Sequence, residues 1–598
     1  MLTNSSILTV MTSFKKLFYA LSLIVFTGAI PAKPVLAFDP RAEPEGATDI
    51  QPDKLSHQKT LTARHHLVVA ANPHASEVGR LILRSGGSAI DAAIAVQMVL
   101  NLVEPQSSGI GGGAFLLHWS ERQKRLTSFD GRETAPLAAR PDRFMKNGKP
   151  MKFQDAVPGG LSVGTPGVLK MLEKVHARHG RLPWAQLFDP AIRLARQGFD
   201  ISPRLHTLLS KADVNSFGAT ARAYFFDHAG QPKPAGTRLV NPDFAQTLTG
   251  IAQYGADYLY RGPLAGKIAK AVQNSHKNQG DMTTNDLQAY QAIERPPVCI
   301  SYRTYNICGM GPPSSGMLTV AQVLKILEPL DLGNQPLNQQ ALHLISEAEK
   351  LAYADRKRYM ADSDFEHMPE GLLDPRYLAT RRTLINPRKS MGKAKHGSPP
   401  SSQGQKGADS SKENNGTSHI SIIDAQGDAV SMTSSIEGAF GARLMVAGFL
   451  LNNELTDFSF RPKDPQGRLI ANRVAPLKRP RSSMAPTMVF DRHGRLHMVV
   501  GSPGGSRIIL YVLKTIIGHI NWGLEAKALT QLPNFGSRNG PLELEKGSGV
   551  ETVGAGLQAL GHKVRLTPMT SGVHLILRKG HLLTGAADPR REGVALGD

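Results

Sequence analysis

Cysteine is nearly absent: the chain holds two, Cys299 and Cys308, in 598 residues. That excludes a disulfide-built scaffold and a four-cysteine zinc site. Long apolar runs are missing after residue 30, so no later segment offers the ~20 residues a membrane-crossing helix needs. His65-His66 and the other histidines show no metal-ligand spacing with acids or cysteines. Basic runs interleaved with aromatics are also missing, as are the usual nucleic-acid motifs. The formal net charge of +21 therefore reads as a solvated basic surface that attracts small anions, not as a nucleic-acid footprint. There are no internal repeats.

The N-terminus carries an export pattern. Lys15 and Lys16 precede an apolar run from Leu17 to Ile30, and Val35-Leu36-Ala37 suits cleavage after Ala37. The run is short for an anchor, so residues 1–37 read as a signal peptide and the protein as periplasmic or secreted, with no stable membrane span after its removal. Losing three lysines leaves +18 on the mature chain. Cys299 and Cys308 flank a predicted hairpin turning at Arg303-Thr304, which sets them opposite each other. In an exported protein they either form a disulfide or stay as two thiols.

Residues 38–64 are polar and read as a loose mature N-terminus. A short buried strand is predicted at Leu67–Ala71, helices at Ala75–Arg84 and Ala89–Val103, and a glycine-rich loop, Gly109–Gly113, feeding a strand at Ala114–Trp119. Residues 163–385 read as mostly helical, with a long helix at Leu342–Tyr359 and a turn at Asp374-Pro375-Arg376. Composition shifts sharply at residues 388–416, where Lys, Ser, Gly, Pro, Gln and Asn displace bulky apolar residues. Such a stretch cannot bury enough surface to order itself and suits either a linker or a processing segment. Beyond it the pattern turns to β: His419–Ile423 and Ala429–Thr433 flank the hairpin signal Gln426-Gly427. A strand at Leu496–Val500 then runs through Gly501–Gly505 into a helix ending at Ile520. The class is mixed α/β.

Thr417 stands where the polar stretch meets a buried strand. A threonine hydroxyl needs a base, and a cut at Gly416-Thr417 supplies one: the freed α-amine, with a reference pKa near ~8. The same position also suits a threonine that merely begins a strand. Pro503-Gly504-Gly505, between strand and helix, exposes backbone N–H groups fit for an oxyanion hole, or forms an ordinary glycine turn. Arg132 suits bidentate pairing with a carboxylate, Glu437, Glu454 and Asp457 suit an ammonium, and Ser482 and Ser483 offer hydroxyl donors. Taken singly, each also fits a structural role. Gly160–Gly164 matches a nucleophile elbow but lacks the preceding strand and following helix. Gly109–Gly113 precedes a strand, the wrong order for a dinucleotide loop.

These residues lie in a run of motifs: Ala71–Glu77, Gly86–Ala93, Glu104–Gly109, Pro312–Gly316, Thr417-Ser418-His419, Asn452–Phe458, Lys478–Met484, Gly501–Arg507 and Gly585–Arg591. With them the chain, from Val68 to Gly597, resembles the γ-glutamyltranspeptidases of the N-terminal-nucleophile (Ntn) hydrolase superfamily. The resemblance implies a four-layer αββα sandwich and self-cleavage at Gly416-Thr417. A large subunit, 38–416, with 388–416 as a flexible processing segment, would pair with a small catalytic subunit, 417–598, as a heterodimer. It implies that Thr417 attacks the γ-glutamyl bond of glutathione and related compounds. The acyl group would pass to water, an amino acid or a dipeptide, without cofactor or metal. Gly504 and Gly505 would form the oxyanion hole and Ser435 would stand beside the nucleophile. Arg132, Ser482 and Ser483 would take the donor's α-carboxylate, and Glu437, Glu454 and Asp457 its α-amine. Four positions depart from the commoner pattern: Ser435 for Thr, Glu437 for Asn, Arg481 for Leu and Met317 for Gly. Residues 458–478 leave the presence of a lid over the pocket open. Two alternatives stand beside this: a glutaryl or cephalosporin acylase, and an uncleaved basic binding protein.

Overall fold

The structure is a computed structural model that describes residues 60–402, 406–411 and 416–598. The export-type segment lies outside the described residues, as do 403–405 and 412–415. Among the described residues no helix is long and apolar enough to cross a membrane.

Fourteen strands form two antiparallel sheets. In chain order they are β1 (Leu61–Ala63), β2 (Leu67–Ala70), β3 (Gly113–Ser120), β4 (Arg125–Gly131), β5 (Ile293–Arg295), β6 (Val298–Tyr302), β7 (Tyr305–Gly309), β8 (Gly416–Ile423), β9 (Ala429–Glu437), β10 (Thr487–Phe490), β11 (Leu496–Gly501), β12 (His574–Lys579), β13 (Leu582–Ala587) and β14 (Val594–Gly597). The first sheet runs β14-β2-β8-β9-β3-β4-β5 and the second β1-β13-β12-β11-β10-β7-β6. The polar N-terminal stretch therefore ends earlier than its composition suggests. Leu61–Ala63 is an edge strand paired with Leu583–Gly585, because two apolar residues two apart suffice to seat a strand on a sheet face.

Strand alternation produces the layers. Val68, Leu116, Ile420, Ile422, Val430 and Met432 face an outer helical layer that includes α1 (Pro73–Arg84), α2 (Ala89–Val103) and α3 (Val168–His179). Their neighbours Leu67, Val69, Leu117 and Ile423 pack with Met488, Val499 and Ile576 of the second sheet. The other faces of that sheet, Val489, Met498, Val500, Leu575 and Leu577, meet α4 (Gly316–Leu327), α5 (Gln339–Tyr359) and α6 (Ile508–Ile520). A period of two, repeated in both sheets, thus gives helix–sheet–sheet–helix. α2 is buried along its whole length and starts on a capping box between Ser88 and Asp91.

Two local features differ from expectation. Asp374-Pro375-Arg376 is a helix start, not only a turn: the Asp374 carboxylate accepts from Tyr377 N at 2.8 Å and proline occupies the first turn of Pro375–Arg382. The described part of 388–416 is held in place by other elements. Glu347 of α5 accepts from Ser390 Oγ (2.9 Å) and Met391 N (2.7 Å), and Asp355 accepts from Gly397 N (2.8 Å). The strap thus lies along α5. His343, Glu347 and His562 cluster as metal ligands do, a grouping the sequence spacing does not reveal. The Lys350 ammonium already fills the cation's place, 2.7 Å from Glu347 Oε1 and 3.3 Å from His562 Nδ1.

Cys299 and Cys308 are directly opposed in the β6–β7 hairpin and form a disulfide. Denatured without reductant, the protein should give no thiol-reagent signal, and two thiols per chain after reduction.

The layer between the sheets changes from apolar to polar along β8. His419 Nδ1 lies 2.8 Å from Thr433 Oγ1, Ser421 Oγ donates to His574 O (3.0 Å), and His574 Nδ1 donates to His419 O (2.7 Å). Burial pushes the His574 imidazole down to about 4 and His419 well below its ordinary range. In the unfolded chain both titrate near pH ~6.5. The unfolded state therefore binds more protons between those values, and stability is lost as pH falls through that window. His574 alone should account for about 3 kcal/mol of that loss. Thermal melts from neutral to acid pH should show it, with a shallower slope for His574→Gln.

Candidate active site

Alternation along β8 sends Thr417, His419, Ser421 and Ile423 to the inter-sheet side. Thr417 is the last of these at the strand's N-terminal end and is 3% exposed. The β8–β9 ladder shifts register between Gly416 and Thr417, which pair with Glu437 and Ser435. This bulge brings both residues to one hydroxyl. Thr417 Oγ1 donates to Ser435 Oγ (3.2 Å), and Ser435 Oγ donates to the Gly416 carbonyl (2.8 Å) while accepting from Glu437 N (2.8 Å). A threonine hydroxyl is thereby linked through a second hydroxyl to the carbonyl oxygen of the residue before it. Glu437 sits at φ 76°, in the left-handed region, as the chain turns out of the bulge. Gly112 backs this point: a Cβ there would lie 2.1 Å from Ser435 O. The glycines of this run pack closely on their surroundings: Gly109 on Asn101, Gly111 on Leu450, Gly112 on β9 and Gly113 on Glu133.

The turn after β11 approaches from the other sheet. Gly504 and Gly505 have φ of 136° and 54°, which side-chain-bearing residues rarely adopt. A Cβ on Gly504 would also meet the Tyr511 ring at 2.6 Å. Arg591 joins this turn to the threonine. It donates to Thr417 O (3.3 Å), and its Cδ and the Pro503 ring both crowd the face of Gly572, at 2.8 and 2.7 Å from a Cβ built there. Composition gave Arg591 no role beyond a motif; its position follows only from the fold.

Arg132, Glu454 and Asp457 form one dry cluster. Arg132 is 1% exposed. It bonds to Glu454 through Nη1, to Asp457 through Nη2 (2.6 Å), and to the carbonyls of Pro480 (3.1 Å) and Arg481 (3.0 Å). Glu133 beside it is fully buried. Burial and the Glu454 carboxylate push its carboxyl well above the ordinary range. Glu437 reaches the same turn: Asn453 Nδ2 donates to its Oε2 at 2.5 Å. The cluster thus carries more acid than base, the electrostatics that suit an added cation.

The two serines occupy the facing turn. Ser482 Oγ accepts from Met484 N (3.1 Å), and Arg356 of α5 donates to Ser483 Oγ at 2.6 Å and to Ser315 Oγ at 2.8 Å. Arg356 was not singled out by the sequence because nothing in a long helix marks one arginine among several. The Arg481 side chain turns away from Arg132 and pairs with Asp409 at 2.8 Å. Met317 fills space against Gly309. Residues 459–477 fold back on themselves through the Ser459–Arg473 and Lys463–Leu469 bridges. Ser162, the elbow candidate, donates to Val157 O (2.6 Å) and is fully buried, so it serves a turn.

Comparisons with known proteins point to one family. The family model described as Gamma-glutamyltranspeptidase matches residues 75–598. The Glutathione hydrolase proenzyme of Bacillus subtilis strain 168 is 35% identical over 591 residues, 96% of this chain and 97% of that protein. The Acylase ACY 1 proenzyme of Pseudomonas sp. strain V22 is 35% identical over 555 residues, 91% of this chain and 95% of that one. Among solved structures, the cephalosporin acylase from Bacillus halodurans superposes with a TM-score of 0.80 at 25% identity, over 94% of this chain and 99% of that one.

Removing the guanidinium alone should leave Glu454 and Asp457 buried without a counter-charge. Arg132→Met is expected to cost about 3–5 kcal/mol, and Glu437→Gln, which keeps an acceptor for Asn453, no more than about 1.5 kcal/mol. Denaturant midpoints, measured in chains that also carry Thr417→Ala so that all share one covalent state, should rank the two in that order.

Proposed function

The chain belongs to the γ-glutamyltranspeptidase family and is an enzyme of the transferase and hydrolase kind, and we propose that it cuts itself before Thr417 and then transfers or hydrolyses γ-glutamyl groups with the freed threonine. The observation that carries this is the hydroxyl line from Thr417 through Ser435 to the Gly416 carbonyl. In the precursor, Thr417 Oγ attacks the Gly416 carbonyl carbon. Its proton passes to Ser435 as the Ser435 proton moves toward the carbonyl oxygen. The C–N bond then breaks as the proton on the former carbonyl oxygen passes to the leaving nitrogen, the C=O re-forms, and an ester links Gly416 to Thr417 Oγ. Water hydrolyses that ester and leaves two subunits, 38–416 and 417–598, as a heterodimer.

In the mature enzyme the Thr417 α-amine, with a reference pKa near ~8, is the base for its own hydroxyl. Thr417 Oγ attacks the γ-carbonyl of glutathione or another γ-glutamyl compound. The N–H groups of Gly504 and Gly505 hold the oxyanion, each worth roughly 3 kcal/mol. The leaving amine takes the proton, and the γ-glutamyl ester passes to water, an amino acid or a dipeptide. The α-carboxylate of the donor is held by Arg132, Ser482 and Ser483, and its α-ammonium by Glu437, Glu454 and Asp457. The excess of acid over base in that cluster supports a donor that brings its own cation. Export to the periplasm or beyond, with residues 1–37 as the signal, completes the reading.

A glutaryl or cephalosporin acylase is the second reading, favoured by the likeness to proteins named as acylases. A glutaryl group has no α-amine, so it would bring no cation to a cluster that carries more acid than base. The two readings separate on kcat/KM for γ-glutamyl and glutaryl anilides: a preference for glutaryl would overturn the proposal.

On denaturing gels the unaltered protein should run as two bands and Thr417→Ala as one. Ser435→Ala should slow the conversion about 100-fold, the scale of one lost proton-transfer or oxyanion partner. A Thr417→Ala chain that still divides would assign the cut to another protease.

A further inference from the structure

Arg481 lies between two residues of the donor turn, yet its side chain serves a different segment. Arg481 Nη2 and Asp409 Oδ2 are 2.8 Å apart, with side chains 2% and 1% exposed. Asp409 belongs to the polar strap, eight residues before Thr417. Its carboxylate also accepts from Ser411 N and Oγ (both 2.8 Å) and from Asn472 Nδ2 (3.0 Å), and its backbone N donates to Lys357 O at 2.9 Å. Asn472 in turn accepts from Arg481 N (3.0 Å) and donates to Asp457 O (2.7 Å). One end of this network is thus the strap leading to the scissile bond, and the other is the acid cluster of the donor site. Gly407 N on Leu469 O (2.8 Å) and the Lys406–Glu366 pair (2.9 Å) hold the strap just upstream.

We propose that the buried Arg481–Asp409 pair is a positioning clamp for self-cleavage, anchoring the strap so that the Gly416 carbonyl is presented to Thr417 Oγ. The proposal rests on the self-cleavage reading above. The physical case is one of entropy and register. The strap has almost no apolar side chains to hold it, and fixing a free backbone costs conformational entropy at every residue. If that ordering had to occur during the reaction it would add directly to the barrier, whereas a segment already held removes it. A buried ion pair is poorly suited to add net stability, because desolvation offsets its attraction, but it specifies a single register. Arg481 and Asp409 are accordingly positioning residues, acting through the strap.

The test uses the full chain, purified before conversion is complete and followed on denaturing gels. Asp409→Asn and Arg481→Met should each slow conversion at least about tenfold, and Arg481→Lys, which keeps the charge, should stay within about threefold of the unaltered chain. Once matured, all should show KM for a γ-glutamyl anilide within about twofold of the unaltered enzyme. Conversion of Asp409→Asn at the unaltered rate would overturn the clamp. So would a raised KM with normal conversion in Arg481→Met, which would place Arg481 in the donor site. Each variant is also melted in a Thr417→Ala background, and conversion is compared at equal distance below each melting temperature. If the slowing vanishes there, the pair only stabilises the fold and the clamp is rejected. Failure of the underlying reading is distinguishable: Thr417→Ala would then divide at the unaltered rate, whereas if only the clamp fails Thr417→Ala stays whole while Asp409→Asn converts normally.

Discussion

Ser435 can reach both Thr417 and Gly416 only because β8 and β9 slip by one residue at their ends. In a regular ladder, consecutive residues of β8 would face opposite sides of the sheet. The bulge relaxes that rule at one point, so a side-chain oxygen and the preceding carbonyl oxygen meet the same hydroxyl. The surrounding features follow from it. Glu437 accepts a left-handed backbone to leave the ladder. Gly112 has no side chain because the Ser435 carbonyl lies where a Cβ would be. Arg591, in the loop between β13 and β14, holds the Thr417 carbonyl. None of these residues is placed by its own preference alone.

The layers explain why such a point can exist inside a sandwich. Two apolar sheet faces would ordinarily close on each other and exclude polar groups, since an unpaired buried hydroxyl or imidazole costs about 1–3 kcal/mol. Here Ile423, Val499 and Met488 seal one part of the interface, and Ser421, His419, Thr433 and His574 exchange hydrogen bonds with each other in the next. The sandwich therefore becomes polar by steps toward Thr417, with a hydrogen bond at each step, although His574 Nε2 itself finds no partner.

Much of this was legible from sequence where it rests on local pattern. The strands expected at Leu67–Ala71 and Leu496–Val500 lie within one residue of their bounds, and the one expected at His419–Ile423 begins three residues earlier, at Gly416. The hairpin that opposes Cys299 to Cys308 follows from five residues on each side of a turn. The site residues were legible as types and as motifs, and Arg132, Glu454 and Asp457 do come together. Their mutual pairing was not legible, because it joins residues more than 300 apart in the chain. Nor was Arg356, whose helix carries Arg358 two residues on with the same charge.

The strap shows the other limit of composition. A stretch that cannot order itself can still be ordered by a host, provided the host supplies buried polar partners in the right sequence. α5 does this with side chains about one to two turns apart: His343 holds Asn386 O, Glu347 holds residues 390 and 391, and Asp355 holds Gly397. Those helix residues are charged or polar and yet buried, which in an ordinary core helix would be a liability. Part of what pairs these buried groups is the strap, and part of what orders the strap is these groups. Each segment read by itself is therefore misleading: one resembles a solvated linker and the other a helix with too many ions for its depth. The physical information lies in the match between them, which becomes visible when the chain is folded.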